Sequence, residues 1–208
     1  MRARSSPVTV SSGAFDHFSV SCNNVQTVGT PFTITISAVD HDNNLVTDYA
    51  GTITLTESTH TLSPTSVNLV NSIGTISITM IKTSASVVFT TSGNGKTGTS
   101  GLINVKPGAI YSFTITGYPT TVAAGTKFAS NVIVTAYDYY GNIKTDFPGN
   151  VVWSSTDTKA SLPSSSNTFT NGQCTFLAKY FTLNTKGQQR IKVTSGSAIG
   201  QSNLITVN

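Results

Sequence analysis

The chain has 208 residues and a formal net charge of +4, with charged side chains at only 10% of positions. Ser (27) and Thr (35) together fill 62 positions. So little charge excludes a helical coat rich in Glu, Lys and Arg, and 38% apolar residues exclude a disordered chain.

Residues 1–13 read as an N-terminal extension. The start Met1-Arg2-Ala3-Arg4-Ser5-Ser6-Pro7 has no apolar stretch of the kind that makes a secretory signal. Beyond it the chain is written twice, and the repeat dominates every other signal. Ala14-Phe15-Asp16-His17-Phe18-Ser19-Val20-Ser21 returns as Ala109-Ile110-Tyr111-Ser112-Phe113-Thr114-Ile115-Thr116. Phe32, Ile34, Ile36 and Ala38 alternate with Thr and Ser, the period of a strand with one buried face. Val132, Val134 and Ala136 repeat that face.

Next comes the longest match. Asp40-His41-Asp42-Asn43-Asn44, continuing to Asp48 and Gly51, reappears as Asp138-Tyr139-Tyr140-Gly141-Asn142, continuing to Asp146 and Gly149. Ile53 and Leu55 correspond to Val151 and Trp153, and Ile76, Ile78 and Met80 to Cys174, Phe176 and Ala178. The inward register around Val87-Val88-Phe89 and Ile191, Val193 stays open. Each copy closes alike, with Leu102-Ile103-Asn104-Val105 against Leu204-Ile205-Thr206-Val207. The joint falls at Lys106-Pro107-Gly108, giving domains at 14–107 and 108–208. No 3.6-residue apolar stripe appears, and no helical crossover exists to support a parallel sheet. The expected fold is all-β: two tandem immunoglobulin-like β-sandwiches of about seven antiparallel strands each.

The segment Asp138 to Gly149, followed by an alternating strand and Ala160-Ser161-Leu162-Pro163, resembles the tandem immunoglobulin-like repeats of prokaryotic cell-surface proteins. These are the invasin/intimin-like and filamin-like sandwiches. The first copy departs from that pattern, with Asn43-Asn44 for Gly141-Asn142 and no Ala-x-Leu-Pro piece. The resemblance implies an extracellular, cell-surface structural or adhesion module, a spacer or stalk of a larger protein, whose partners include other repeats of that protein. Two alternatives stand beside it: a glycan- or cell-wall-binding module, and a subunit of a surface filament or S-layer. In the last, an extended segment such as Ser6 to Ser12 pairs with another chain's sheet.

The candidate chemistry is sparse. Asn and Gly supply the positive-φ positions of a tight turn, and the Asp side chains cap its amides. A structural turn motif of Asp40, Asn44, Asp48, Gly51, Asp138, Gly141, Asn142, Asp146 and Gly149 follows, with Gly51 and Gly149 bending the chain into the next strand. Asp40, Asp42 and Asn44 also offer oxygens to calcium, but the second copy replaces the middle with tyrosines and no bidentate Glu follows; capping is the preferred reading. Neither catalytic motif nor cofactor is read: Glu57 is the sole Glu, and His17, His41 and His60 lack a partnering motif.

Tyr139 and Tyr140 occupy a turn and are candidate contact residues for a host, cell-wall or matrix glycan or protein, in competition with packing onto the neighbouring unit. Trp153 aligns with inward Leu55 and belongs to the core. Lys179, Lys186, Arg190 and Lys192 gather on two expected neighbouring strands and offer a basic face to an anionic polymer. Nucleic acid is not an expected partner, because no dense basic cluster or reading motif is present. Cys22 and Cys174 are too far apart for a zinc pair and read as buried free thiols, with a bridge as the alternative.

Overall fold

Alternating Thr/Ser and β-branched or aromatic residues suit a pleated surface with one wet face, and the chain folds accordingly. The structure, a computed structural model, describes residues 11–62, 65–164 and 168–208. It divides into two compact units, 1–106 and 107–208. Both are all-β, and the one helical element among the described residues is a single 3-10 turn at Ala178–Tyr180.

Unit 1 contains β1 (His17–Ser21), β2 (Val25–Thr27), β3 (Phe32–Val39), β4 (Gly51–Glu57), β5 (Thr65–Leu69), β6 (Ile73–Ile78), β7 (Ser84–Val87), β8 (Phe89–Gly93), β9 (Lys96–Thr99) and β10 (Ile103–Lys106). One sheet has the order β1-β3-β6 and the facing one β5-β4-β8-β9, while β2-β10-β7 closes one end. Phe18, Ile34, Ile36, Ile53, Leu55 and Phe89 interdigitate between them as the core.

Unit 2 contains β11 (Ile110–Thr116), β12 (Thr121–Val122), β13 (Val132–Asp138), β14 (Val152–Ser155), β15 (Gln173–Phe176), β16 (Gly187–Gln189), β17 (Ile191–Ser195), β18 (Ala198–Gln201) and β19 (Ile205–Val207). Six of these form one continuous sheet, β14-β17-β18-β11-β13-β15, and β12-β19-β16 forms another. Trp153 stands edge-on to Phe176 and Phe181 in this core.

The segments outnumber seven because strands break where the chain leaves one sheet for another. Val88 separates β7 from β8: its amide donates to the Ser58 hydroxyl and its carbonyl accepts the Ser58 N–H, both at 3.0 Å. Arg190 separates β16 from β17 in the same way, donating to the Thr156 hydroxyl at 2.8 Å. Side chains on either side of each break, Val87 and Phe89, Gln189 and Ile191, all point inward, which resolves the register left open above.

The all-antiparallel expectation needs one correction. β2 runs parallel to β10, with Asn104, Val105 and Lys106 opposite Val25, Gln26 and Thr27. Likewise β12 runs parallel to β19, with Thr121 and Val122 opposite Thr206 and Val207. No local crossover is needed, because the strands in between are themselves the connection from the second strand of the unit to its last.

Gly98 and Gly200 permit a separate close approach in each unit. A Cβ on Gly98 would lie 2.0 Å from the Phe18 carbonyl oxygen, and one on Gly200 would lie 2.6 Å from that of Phe113. Only a residue without Cβ lets β9 and β18 approach β1 and β11 so closely.

Candidate functional site

The repeated Asp turn follows β3 in unit 1 and β13 in unit 2, and its carboxylate is the hub of a small network. Asp40 Oδ1 accepts the amides of Asp42 (3.0 Å) and Asn44 (2.9 Å), and Oδ2 accepts the amide of Gly13 at 2.7 Å. The Asn44 side-chain amide donates to both oxygens. In unit 2 Asp138 Oδ1 accepts from Tyr140 (3.0 Å) and Asn142 (2.9 Å), Oδ2 accepts from Gly108 (3.0 Å), and the Asn142 amide again reaches both oxygens. Each carboxylate thus ties the segment leading into its unit to the turn after the central strand. The Gly13 amide, with help from Asn44 and Asp42 and against the opposing effect of burial, holds the Asp40 carboxyl below the usual carboxylate range.

The left-handed residues of the turn are Asn43 (φ 64°) and Gly141 (φ 80°), as Asn and Gly best tolerate. The other motif residues behave differently from expectation. Asp146 caps no amide and instead pairs with Lys144 at 2.8 Å, while Asp48 lies exposed. Gly51 and Gly149 have no positive φ; a Cβ on Gly149 would press to 2.8 Å on the Phe147 ring, and one on Gly51 to 3.4 Å on the Tyr49 hydroxyl. Space for the Phe147 ring explains Gly149, whereas the contact at Gly51 is ordinary and nothing in the structure requires a glycine there. Asp40 spends its oxygens on amides, and no group of three or more His, Cys, Asp or Glu among the described residues could hold a metal ion.

A second carboxylate network was not foreseen. Glu57, at the end of β4 and buried, accepts the amides of Thr59 (2.5 Å), Thr61 and Leu62 (3.1 Å) and the hydroxyls of both threonines. Asp157, just past β14 and 3% exposed, takes the same place in unit 2. It accepts the amides of Lys159 (2.9 Å), Asn184 (2.6 Å) and Thr185 (3.0 Å) and the Thr185 hydroxyl (2.7 Å). Burial opposes ionisation at Asp157, but the Thr185 hydroxyl and the three amides outweigh it and lower its pKa from 3.8 to about 2. Glu57 is lowered in the same direction, again against burial, by Thr59, Leu62 and Thr61. Leu62 and Leu162 each follow their carboxylate by five residues and pack on their cores, so the first copy keeps this leucine after all. The repeat offset of 100 between Glu57 and Asp157 is the sequence signal that marks them.

Tyr139 and Tyr140 lie at the apex of the unit 2 turn, 69% and 46% exposed. Tyr139 stands edge-on to Tyr140 (centroids 5.2 Å, 87°) and also to Tyr111 (5.0 Å, 79°), itself 57% exposed. The basic residues do not lie on two neighbouring strands as expected. Lys179 sits on the 3-10 turn over the Tyr180 ring, and Lys186 precedes β16. Arg190 lies in the break before β17, with its guanidinium on the Ser202 carbonyl at 2.5 Å, and only Lys192 is within β17. Cys22 is half-buried and Cys174 buried, and burial pushes the Cys22 thiol up. The segment Ser6 to Ser12 lies outside the described residues except for its last two. No described helix is long and apolar enough to cross a membrane, which says nothing of a β-barrel.

These features define a class, the tandem immunoglobulin-like β-sandwich. Among solved structures the chain is similar to the FdeC adhesin of Escherichia coli, at 20% identity over 97% of this chain and 68% of that one, with a TM-score of 0.51. That likeness shows the fold, and it agrees with the resemblance to surface-protein repeats carried by the Asp138 turn. Looser overlaps carry no argument: invasin, a bacterial integrin-binding protein (17% identity, 92% of this chain and 39% of that one, TM-score 0.42), and domains 4 and 5 of the S-layer protein SbsC (18%, 94% and 99%, TM-score 0.40). No family model and no curated protein sequence matches the chain.

Proposed function

We propose that this chain is a load-bearing, non-enzymatic spacer segment of an extracellular surface protein with a role in adhesion. The observation that carries the reading is the parallel pairing of the second strand with the last in both units, β2 with β10 and β12 with β19. In unit 2 the ladder alternates: Thr206 donates to Thr120 (2.9 Å), Asn208 to Val122 (3.0 Å) and Ala124 to Asn208 (2.8 Å). In unit 1 Asn104 donates to Asn24 (2.8 Å) and Val28 to Lys106 (2.9 Å). Tension on a unit's two ends pulls such strands past each other, so the bonds are loaded in shear and break together rather than one by one. The carboxylates of Asp40 and Asp138 hold the incoming segments at Gly13 and Gly108, beside the same ends. The fold likeness to a bacterial adhesin supports this setting, and adhesion itself is said of that protein.

Single-molecule force spectroscopy tests the reading. Two unfolding events are expected, each releasing roughly 30 nm of chain at ~3.5 Å per residue. Val122→Pro removes the amide that β12 presents to β19 and should lower the unfolding force of one event and not the other. Unfolding of both units without resolvable force peaks sinks the proposal.

A further inference from the structure

Three tyrosines of unit 2 form one exposed platform, and the fold does not require them. Tyr111 is the extra residue of a β-bulge: Ile110 opposes Asp138 and Ser112 opposes Tyr137, so Tyr111 has no partner of its own on β13 and turns outward. It meets Tyr139, which meets Tyr140, in consecutive edge-to-face contacts that hold the rings in place. Unit 1 supplies an internal control. Its corresponding residues are Asp16, His41 and Asp42, the Asp16 amide donates to the carbonyl of Val39 at 2.9 Å beside the β1–β3 ladder, and its carboxylate network is the same. Aromatic side chains are therefore dispensable for the turn, yet unit 2 keeps three of them in water.

The surroundings restrict what could cover them. The turn's charges, Lys144 and Asp146, neutralise each other at 2.8 Å, although the chain from Ala109 onward carries three acids against seven bases. The platform is uncharged within a basic unit. A strand-forming peptide finds no free edge there, because β11 is paired with β13 and β18, and β13 with β11 and β15. What remains on offer is ring faces and phenol hydroxyls. We propose that Tyr111, Tyr139 and Tyr140 form a binding site for a neutral polysaccharide, whose apolar pyranose faces lie on the rings and whose hydroxyls meet the phenols. The site is independent of the load-bearing role and stands or falls without it.

Native affinity electrophoresis of the full chain, in gels containing hydroxyethylcellulose, yeast α-mannan or polygalacturonate, tests the proposal. Retardation is expected in at least one neutral gel and should persist at about 0.5 M salt, which screens surface charge. Each Tyr→Ala change should weaken retardation about tenfold. The triple variant Tyr111→Asp, Tyr139→His, Tyr140→Asp installs the residues unit 1 already tolerates and should abolish it, while Trp153 fluorescence stays native. Migration unchanged in both neutral gels overturns the proposal. So does salt-sensitive retardation confined to polygalacturonate, full binding by the folded triple variant, or capture of a poly-L-proline peptide without either neutral polymer.

Discussion

Replacing Asp157 by Asn tests the carboxylate network of unit 2 directly. Each oxygen of Asp157 faces two donors: Lys159 N–H and the Thr185 hydroxyl on Oδ1, Asn184 N–H and Thr185 N–H on Oδ2. Whichever way an Asn amide turns, its NH2 group meets at least one backbone N–H that can only donate. The native carboxyl has its pKa lowered from 3.8 to about 2, which at ~1.4 kcal/mol per unit corresponds to about 2 kcal/mol of stability. Mispaired amides bring the expected cost of Asp157→Asn to about 3 kcal/mol at neutral pH. The sign follows from the lowered folded value. The stabilisation is fully present above the unfolded pKa and is lost as pH falls from about 4 toward 2, so that loss should be missing from the variant. Guanidinium unfolding followed by fluorescence is the assay, because Trp153 is the only Trp of the chain and sits in the unit 2 core. A midpoint shift worth under about 0.5 kcal/mol, with the acid dependence of the native protein retained, would refute the reasoning.

Four further outcomes are expected. Gly200→Ala should lower the stability of unit 2 by at least about 2 kcal/mol, measured by the same fluorescence, because its Cβ would lie 2.6 Å from a backbone oxygen that cannot swing aside. Gly141→Ala has open space around its Cβ and φ of 80°, so only backbone strain acts and the melting temperature should fall by roughly 4–8 °C, for a cost of about 1 kcal/mol. Asp138→Ala should release the connector: hydrogen exchange at the Gly108 and Asn142 amides should rise at least about tenfold while the core amides of β13 stay protected. Under native conditions a thiol reagent should label Cys22 slowly and leave Cys174 unlabelled, and both should react together once denaturant is added.

The period-two alternation made the sandwich legible because each strand buries one face only, so Ile34, Ile36, Val132 and Val134 announce their side. The Asp turn was legible for a similar reason: the donors to one oxygen lie two and four residues along the chain, while the Gly13 and Gly108 amides on the other do not. Apart from the Glu57 network, whose donors lie within five residues, what was not legible depends on contacts between distant segments. Asp157 takes its partners from Asn184 and Thr185, and nothing near Asp157 points to them. Gly98 and Gly200 look like ordinary turn glycines until β1 and β11 are laid against them. The basic residues were misplaced because alternation cannot show where a strand stops. Lys179 sits on a turn, and Arg190 fills a break whose backbone bonds to Thr156. The parallel closure is equally silent, since it joins segments that lie the length of a unit apart.

Comparison of the two copies separates scaffold from surface. Where a side chain closes the fold, both units keep the chemistry: Asp40 and Asp138, Glu57 and Asp157, Leu62 and Leu162, Gly98 and Gly200. Even where the residue changes, as at Asn43 and Gly141, the left-handed backbone is kept. The turn apex obeys no such restriction. In unit 1 His17 bridges Asp16 and Asn43 at 3.1 Å each, and Lys96 lies 3.5 Å from Asp16, a polar cluster that water solvates readily. In unit 2 the same backbone displays three aromatic rings, which water solvates poorly. Two units with one scaffold and opposite apex chemistry match the two proposals made for them: shared strands for tension, and a variable turn for contact.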